Sequence, residues 1–494
     1  MVLLRFFIVK FQFSSAFLAT GAAGLIAGCA APPQPVLDQR MPAQWTQPVP
    51  ESADAQTLGV EQLHGWWQRL GDPSLNALVD QALARNLSLG QAQDLLQAQR
   101  IVLGVANTPY LPEFSAAINT LQDVSATDSF FHASVDMLWD PGLFGARESG
   151  QLAVYADLLG AQAQLHQLRV ELVANVVLRY LDIRMAQRQH ALLQERIALS
   201  QRLVALAGVR LQQRIDSSEA LHQQQLELAQ LQTERAALQE NQARAAHALA
   251  ALLGRITPEA AWLQADANAR LPSPAALQLQ ILPADMLRTR ASVQLAQAQV
   301  EQAAAKLGRS RAALYPRFAL NGSLLYSYNM TQNQHAGSDR MPQLGPVIDI
   351  PLFDWGRRKA QVDANELAME AAVKAYRQSV LDGVAEVESA LAGWAAQTVR
   401  LQSLRAMQKQ LEQRSELLQR RQQLGLASDY NVLGERRASL SNASAQDVAI
   451  GAQALAYVAV FKALGGAPLP AADSAALAQP AVGAAPDAVQ RPAP

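Results

Sequence analysis

The strongest constraint on this chain is that its sequence states one plan twice. Leu253-Gly254 and Leu464-Gly465 each close a long Ala/Leu-rich stretch, 211 residues apart. The same offset carries Val173 onto Val384, Val176 onto Val387 and Ser217 onto Ser428. Upstream the offset drifts: Leu111-Pro112 matches Tyr315-Pro316 at 204, and Leu143-Phe144 matches Leu352-Phe353 at 209. Two units of about 200 residues are therefore expected, with insertions confined to strands and loops.

Proline outlines the plan. None lies between Pro141 and Pro258, or between Pro351 and Pro468, and both gaps carry Ala, Leu, Gln, Glu and Arg at helical spacing. Breaks fall near Asp216-Ser217-Ser218 and Gly425-Leu426-Ala427-Ser428-Asp429, where N-capping residues follow a helix end. Each unit thus predicts a long helix (146–213, 356–424), ~100 Å at 1.5 Å per residue, then a shorter one (217–253, 429–464). A further helix precedes the strands of each unit (74–108, 283–313); Asp72 and Pro73 are placed to cap and begin the first. The two shorter helices together match the long one, which predicts an end-to-end stack beside it.

Between helices the period changes to two. Phe318, Leu320, Leu324, Tyr326 and Tyr328 alternate with Asn321, Ser323, Ser327 and Asn329; Leu344, Pro346, Ile348, Ile350 and Leu352 alternate with Gln343, Gly345 and Asp349. In the first unit Phe131, Ala133, Val135, Met137 and Trp139 alternate with His132, Ser134 and Asp136, beside a run beginning Phe114, Ala116, Ile118. One apolar and one polar face fits either a half-buried soluble strand or a lipid-facing barrel strand. Four strands cannot close a barrel, and lipid tolerates no open edge, so a membrane role requires partner copies. Three copies supply twelve strands.

The N-terminal residues read as a secretory signal. Arg5 and Lys10 are the only charges before residue 29, and an apolar, small-residue stretch follows them. Ile26-Ala27-Gly28-Cys29 resembles a bacterial lipobox, and Cys29 is the only cysteine; a lone exported thiol has no disulfide partner. Residues 1–28 are expected to be removed and Cys29 lipidated, with Ala30 favouring the outer membrane by resemblance to sorted lipoproteins. Residues 29–65 are expected to form a Pro-rich leash, 66–260 the first unit, 261–282 a linker, 283–466 the second unit, and 467–494 a disordered Ala/Pro-rich tail. Charged residues make up 17% and the formal net charge is −1, which gives no electrostatic case for nucleic acid.

In this order and spacing the chain is similar to the TolC-like outer membrane factors, in their lipoprotein, NodT-type branch. The similarity runs from about Trp66 to Gly466. It rests on Trp66-Trp67 through Asp72-Pro73, on Ala313-Leu314-Tyr315-Pro316, on Ile350-Pro351-Leu352-Phe353 through Gly356-Arg357-Arg358, and on Gly425-Leu426-Ala427-Ser428. There are departures: the first tip has Arg214-Ile215-Asp216-Ser217 without glycine, Ala291-Ser292 replaces Pro-Asp, and Pro141-Gly142 is extra. The resemblance implies an α+β membrane protein, a homotrimer whose twelve-stranded β-barrel continues into a periplasmic α-barrel. It implies a passive conduit with no cofactor, working with a periplasmic adaptor and an inner-membrane pump of the RND type.

For the tips, Gly425, Leu426, Ala427, Ser428, Ile215 and Ser217 are the expected adaptor contacts, because small exposed residues let another backbone approach. Asp216, Asp429 and Arg421 are aperture candidates, since threefold symmetry makes a ring of each; the plainer reading is that both aspartates only cap the helices that follow. No enzymatic pattern emerges: the seven His lack metal-ligand spacing and read as solvated surface, and there is no phosphate loop or nucleophile elbow. Trp66-Trp67 reads as an apolar anchor. The competing reading is a lipid-anchored periplasmic coiled-coil adaptor or structural protein without a pore.

Overall fold

A computed structural model describes residues 32–37, 40–47, 56–122, 129–266, 269–272, 277–330 and 334–467. The signal, Cys29 and the chain after Ala467 lie outside the described residues.

The elements follow the doubled plan. Helices α1 (Pro73–Arg85) and α2 (Leu87–Gly104) lead to strands β2 (Glu113–Gln122) and β3 (Ser129–Trp139), preceded in the chain by a short β1 (Gln56–Leu58). Then come the 67-residue α3 (Ala146–Gln212) and α4 (Ser218–Leu252). The second unit repeats this with α5 (Met286–Thr289), α6 (Ala291–Ala312), β5 (Arg317–Asn329), β6 (Gln334–Asp349), the 67-residue α7 (Arg357–Gln423) and α8 (Asp429–Ala463). The long helices begin and end within one residue of the expected bounds, ~100 Å each.

The chain divides into two compact units. One holds residues 96–161 and 295–377 and contains the four-stranded sheet; the other holds 39–95, 162–294 and 378–494.

The opening helix of each repeat differs from the sequence expectation, and the reason is the same in both. Each is broken at one extended residue, Asn86 (ψ 122) or Arg290 (ψ 114), 204 positions apart. Asn86 accepts the Leu89 N–H (3.0 Å) and donates to the Leu252 carbonyl (3.0 Å), so the carbonyl end of α4 seats on the start of α2. Arg290 donates to the Ala463 carbonyl (2.8 Å) at the end of α8, to Ser292 Oγ (2.8 Å), and pairs with Glu386. The break exists to satisfy orphan carbonyls at a helix end. Gly254 (φ +69) and Gly465 (φ +80) close the same joints. A Cβ on Gly254 would stand 2.9 Å from the Arg85 carbonyl oxygen, and one on Gly465 2.2 Å from that of Thr289.

Beside the second joint lies an aromatic cluster. Trp66 is fully buried, stacked on Phe461 (centroids 5.1 Å) with Tyr457 at 6.0 Å; Trp394 meets Tyr457 at 5.6 Å. Trp66 is thus the apolar anchor its sequence suggested. Two expectations are corrected. The segment expected as a leash is docked: Trp45 Nε1 donates to the Ile281 carbonyl (2.7 Å), the Thr46 and Gln47 N–H groups donate to the Glu388 carboxylate (2.7 and 3.0 Å), and β1 pairs in parallel with β4 (Leu277–Leu279) inside the expected linker. Two histidines read as solvated are buried: His166, bonded to the Thr289 carbonyl (3.0 Å), and His190.

The sheet has the order β2-β3-β5-β6, antiparallel throughout. Register places Phe114 opposite Met137, Ile118 opposite Ala133, Val135 opposite Leu324, and Phe318 opposite Ile348. All lie on one face, and that face is open: Phe114 is 68% exposed, Ile118 75% and Leu344 70%. The opposite face carries Glu113, Ser115, Asp136, Asn321, Ser323 and Gln343, lining a trough. Asp136 accepts from Ser134 Oγ (2.7 Å) and Ser323 Oγ (2.6 Å) there. Each strand alternates as period two requires, but the sheet covers its apolar face with nothing of its own.

Candidate functional site

The two turns joining long and short helices have one backbone design. At the first, Ile215 N–H reaches back to the Arg210 carbonyl (2.8 Å) and Arg214 N–H to that of Leu211 (3.0 Å); at the second, Leu426 N–H reaches Arg421 (2.8 Å) and Gly425 N–H reaches Gln422 (2.9 Å). This is the six-to-one helix stop, whose penultimate residue must be left-handed. Gly425 supplies it at φ +73; Arg214 does so at φ +59, so the missing glycine leaves the turn intact and puts the strain on arginine.

The aspartates do not cap, which corrects the plainer expectation. The N-caps are Ser217 and Ser428, whose hydroxyls accept from the Ala220 and Asn431 N–H groups (3.4 Å each). Nor are Asp216 and Asp429 counterparts: the repeat offset of 211 sets Asp216 against Ala427 and Asp429 against Ser218. Asp216 receives a two-pronged contact from Arg210 (Nε 2.6 Å, Nη2 3.4 Å). That guanidinium sits 5.0 Å from the ring of Tyr430, on the other tip. The hydrogen bond from Arg210 holds the Asp216 carboxyl below the ordinary range. Asp429 instead accepts from Gln422 Nε2 (2.6 Å) and lines a shallow cavity of about 430 Å³ with Arg202, Leu206 and Val432. Arg421 is exposed beside it, its carbonyl engaged by Leu426.

Of the expected contact residues, Ile215 is 61% and Leu426 73% exposed, and Gly425, Ser217 and Ser428 are also exposed, with Ala427 half-buried. Tyr430 was missed; its position two residues past a serine cap, on the first turn of a helix, was the available signal. Nothing in this arrangement sets a nucleophile beside a base, and among the described residues no group of His, Cys, Asp and Glu could hold a metal ion. No described helix is long and apolar enough to cross a membrane.

Comparison with known proteins agrees with the geometry. The family described as outer membrane efflux protein matches residues 78–255 and again 282–466. The two matches start 204 residues apart and end 211 apart, the offsets read from the repeat itself. Nodulation protein T of Rhizobium leguminosarum bv. viciae is 26% identical over 351 residues, 70% of this chain and 72% of that one. Pyoverdine export outer membrane protein OpmQ of Pseudomonas aeruginosa is 26% identical over 470 residues, 90% of this chain and 94% of that one. The solved structure of the outer-membrane channel OprN superposes with a TM-score of 0.75 at 26% identity, covering 90% of this chain and all of that one. The chain belongs to the outer membrane efflux protein family, and its work is that of an outer-membrane efflux channel component rather than an enzyme.

Proposed function

We propose that three copies of this chain close a twelve-stranded barrel in the outer membrane, continuous with a helical duct in the periplasm. The observation that carries this reading is the sheet: four strands, two unpaired outer strands, one exposed apolar face and one polar face. In lipid such a sheet is tolerated only when closed, with the apolar face outward and the polar face lining the lumen. A soluble adaptor has no use for an apolar face left bare, which disfavours that alternative.

The tips then face the periplasm, where a membrane-fusion adaptor docks on Gly425, Leu426, Ala427, Ser428, Ile215 and Ser217 and couples the duct to an inner-membrane pump of the RND type. Asp216, Asp429 and Arg421 form the aperture. Cys29 carries lipid as the mature N-terminus, and the duct uses no cofactor. Related proteins carry names for pyoverdine export and cation efflux; cargo selection by the pump accounts for such different cargoes on one fold.

Single-particle imaging of the detergent-extracted protein tests the assembly. A threefold particle with a rod ~100 Å long below a small micelle is expected; a monomer soluble without detergent after removal of the lipidated N-terminus overturns it. At the aperture, Asp429→Ala is expected to raise closed-state conductance in planar bilayers, and unchanged conductance removes Asp429 from the gate.

A further inference from the structure

The apolar face of the sheet does not stop where its last strand stops. Along β6, Leu344, Pro346 and Ile348 share that face. Ile350 and Leu352 continue the alternation past Asp349, the last residue of the strand. Leu352 is 89% exposed, and Phe353 and Trp355 follow at 75% and 86%.

The first repeat makes the same bend in the opposite way. Phe144 (φ 57) and Gly145 (φ 83) repeat as Trp355 (φ 55) and Gly356 (φ 80). That offset of 211 corrects the 209 suggested by the Leu-Phe match. Phe144 is tucked in, stacked on Tyr315 (5.0 Å) and meeting Phe318 (6.3 Å). Trp355 instead meets Phe353 (4.8 Å), which is itself exposed. Where the first bend has Pro141 and Gly142, the second has Leu352 and Phe353. A Cβ on Gly142 would strike the Tyr110 ring at 2.6 Å, so the first bend has no room for such a side chain. The second bend carries three large apolar side chains and leaves all three open.

This bend is held in shape, and it is followed by positive charge. Asp354 accepts the N–H groups of Gly356 (3.2 Å) and Arg358 (3.1 Å), and its carboxylate lies 3.7 Å from Arg358 Nε. Asp354 thus fixes the entry to α7 and is neutralised there. Arg357 and Lys359, on the first turn of α7, are both exposed. Lys359 makes an exposed contact with Asp363 (3.5 Å), of a kind worth little in water.

We infer that this bend is a phospholipid site at the periplasmic border of the barrel. Leu352, Phe353 and Trp355 enter the inner leaflet at the level of the glycerol backbone, and Arg357 and Lys359 hold the phosphate of an anionic headgroup. This rests on the closed ring proposed above. Apolar, aromatic and basic residues follow one another here in the order in which a lipid presents acyl chain, interface and headgroup. The long arms of Arg357 and Lys359 suit the last step, since they keep charge at the headgroup while their stems lie along apolar surface. Lipid is the occupant because the bend continues the sheet face that meets lipid, and because the charge beside it complements a phosphate.

Two measurements test the site. In liposomes of phosphatidylcholine brominated on the upper acyl chain, the unmodified protein is expected to lose a tryptophan signal that Trp355→Phe protein never shows. An equal loss of intensity in the two proteins means that Trp355 is covered by protein, a neighbouring copy included, and overturns the site. Native mass spectrometry then reads the headgroup. Detergent-extracted protein offered equal phosphatidylglycerol and phosphatidylcholine is expected to retain the anionic lipid roughly threefold better, and Arg357→Gln/Lys359→Gln protein to lose that preference. No preference in the unmodified protein, or one that survives the double substitution, overturns the phosphate contact. A threefold particle that fails these measurements leaves the ring standing. Absence of a threefold particle from the unmodified chain overturns the ring and this site with it.

Discussion

The two helical tips share one backbone and hold it differently. Both stop the long helix with the same pair of backbone hydrogen bonds and start the next with a serine cap. The first tip puts arginine where the second has glycine, and ties its aspartate to Arg210, which also faces Tyr430 of the second tip. The second leaves Asp429 to a glutamine. A backbone motif fixed by its own hydrogen bonds thus tolerates an unfavourable residue, while side chains are free to diverge. The duplicated joints teach the same lesson. Asn86 and Arg290 reach corresponding helix ends, at Leu252 and Ala463, by different chemistry, and the Arg290 joint is the tighter one.

That asymmetry can be broken most severely at the joint glycines. Gly465→Ala combines a left-handed β-carbon with a clash against the Thr289 carbonyl, and is expected to cost about 3–4 kcal/mol. Gly254→Ala, with more room, is expected to cost about 2 kcal/mol by the same reasoning. Denaturant midpoints decide it, and equal losses would mean that the two joints are equally tight. Next, Arg290→Ala removes a carbonyl bond and an ion pair and is expected to cost about 2–3 kcal/mol. Asn86→Ala loses a cap worth about 1 kcal/mol. If Asn86→Ala proved the worse of the two, the stacking at the first joint would matter more than the charge at the second.

At the tips the signs are opposed. Arg214→Gly is expected to stabilise by about 1 kcal/mol and Gly425→Ala to destabilise by about as much, read as a rise and a fall in resistance of the tip to proteolysis. The smallest effect is one of pH. Burial lowers the pKa of His166, partly offset by its bond to Thr289 and reinforced by Arg169. With the folded value depressed, the unfolded chain binds the proton more readily. His166 therefore contributes stability that is complete above the ordinary histidine value and is lost as pH falls through the folded one. His166→Gln keeps a donor for the Thr289 carbonyl and is expected to flatten the acid side of the stability profile; an unchanged slope assigns that loss to other groups.

Much of this molecule was legible because its elements are long and periodic. Helices α3 and α7 declare themselves by the absence of proline over some hundred residues, and the sheet faces by alternation around Val135 and Leu324. The two turns fall where the sequence set them, because a glycine or serine between two helices has few other uses. Their chemistry was not legible: whether Asp216 caps or pairs depends on Arg210 lying one turn back, and Tyr430 enters only when two hairpins are brought together.

Sequence by itself determined the doubled plan, the lengths of the helices and the alternation of the strands. These follow from local propensity and period, and each repeat carries its own copy of the signal. Only the tertiary structure decided where the opening helices break, which histidines are buried, that Trp45 and Glu388 tie down the N-terminal segment, and which strand edges remain open. Those outcomes depend on groups up to several hundred residues away, such as the Ala463 carbonyl that claims Arg290. No local pattern encodes a partner that only folding brings within hydrogen-bond reach.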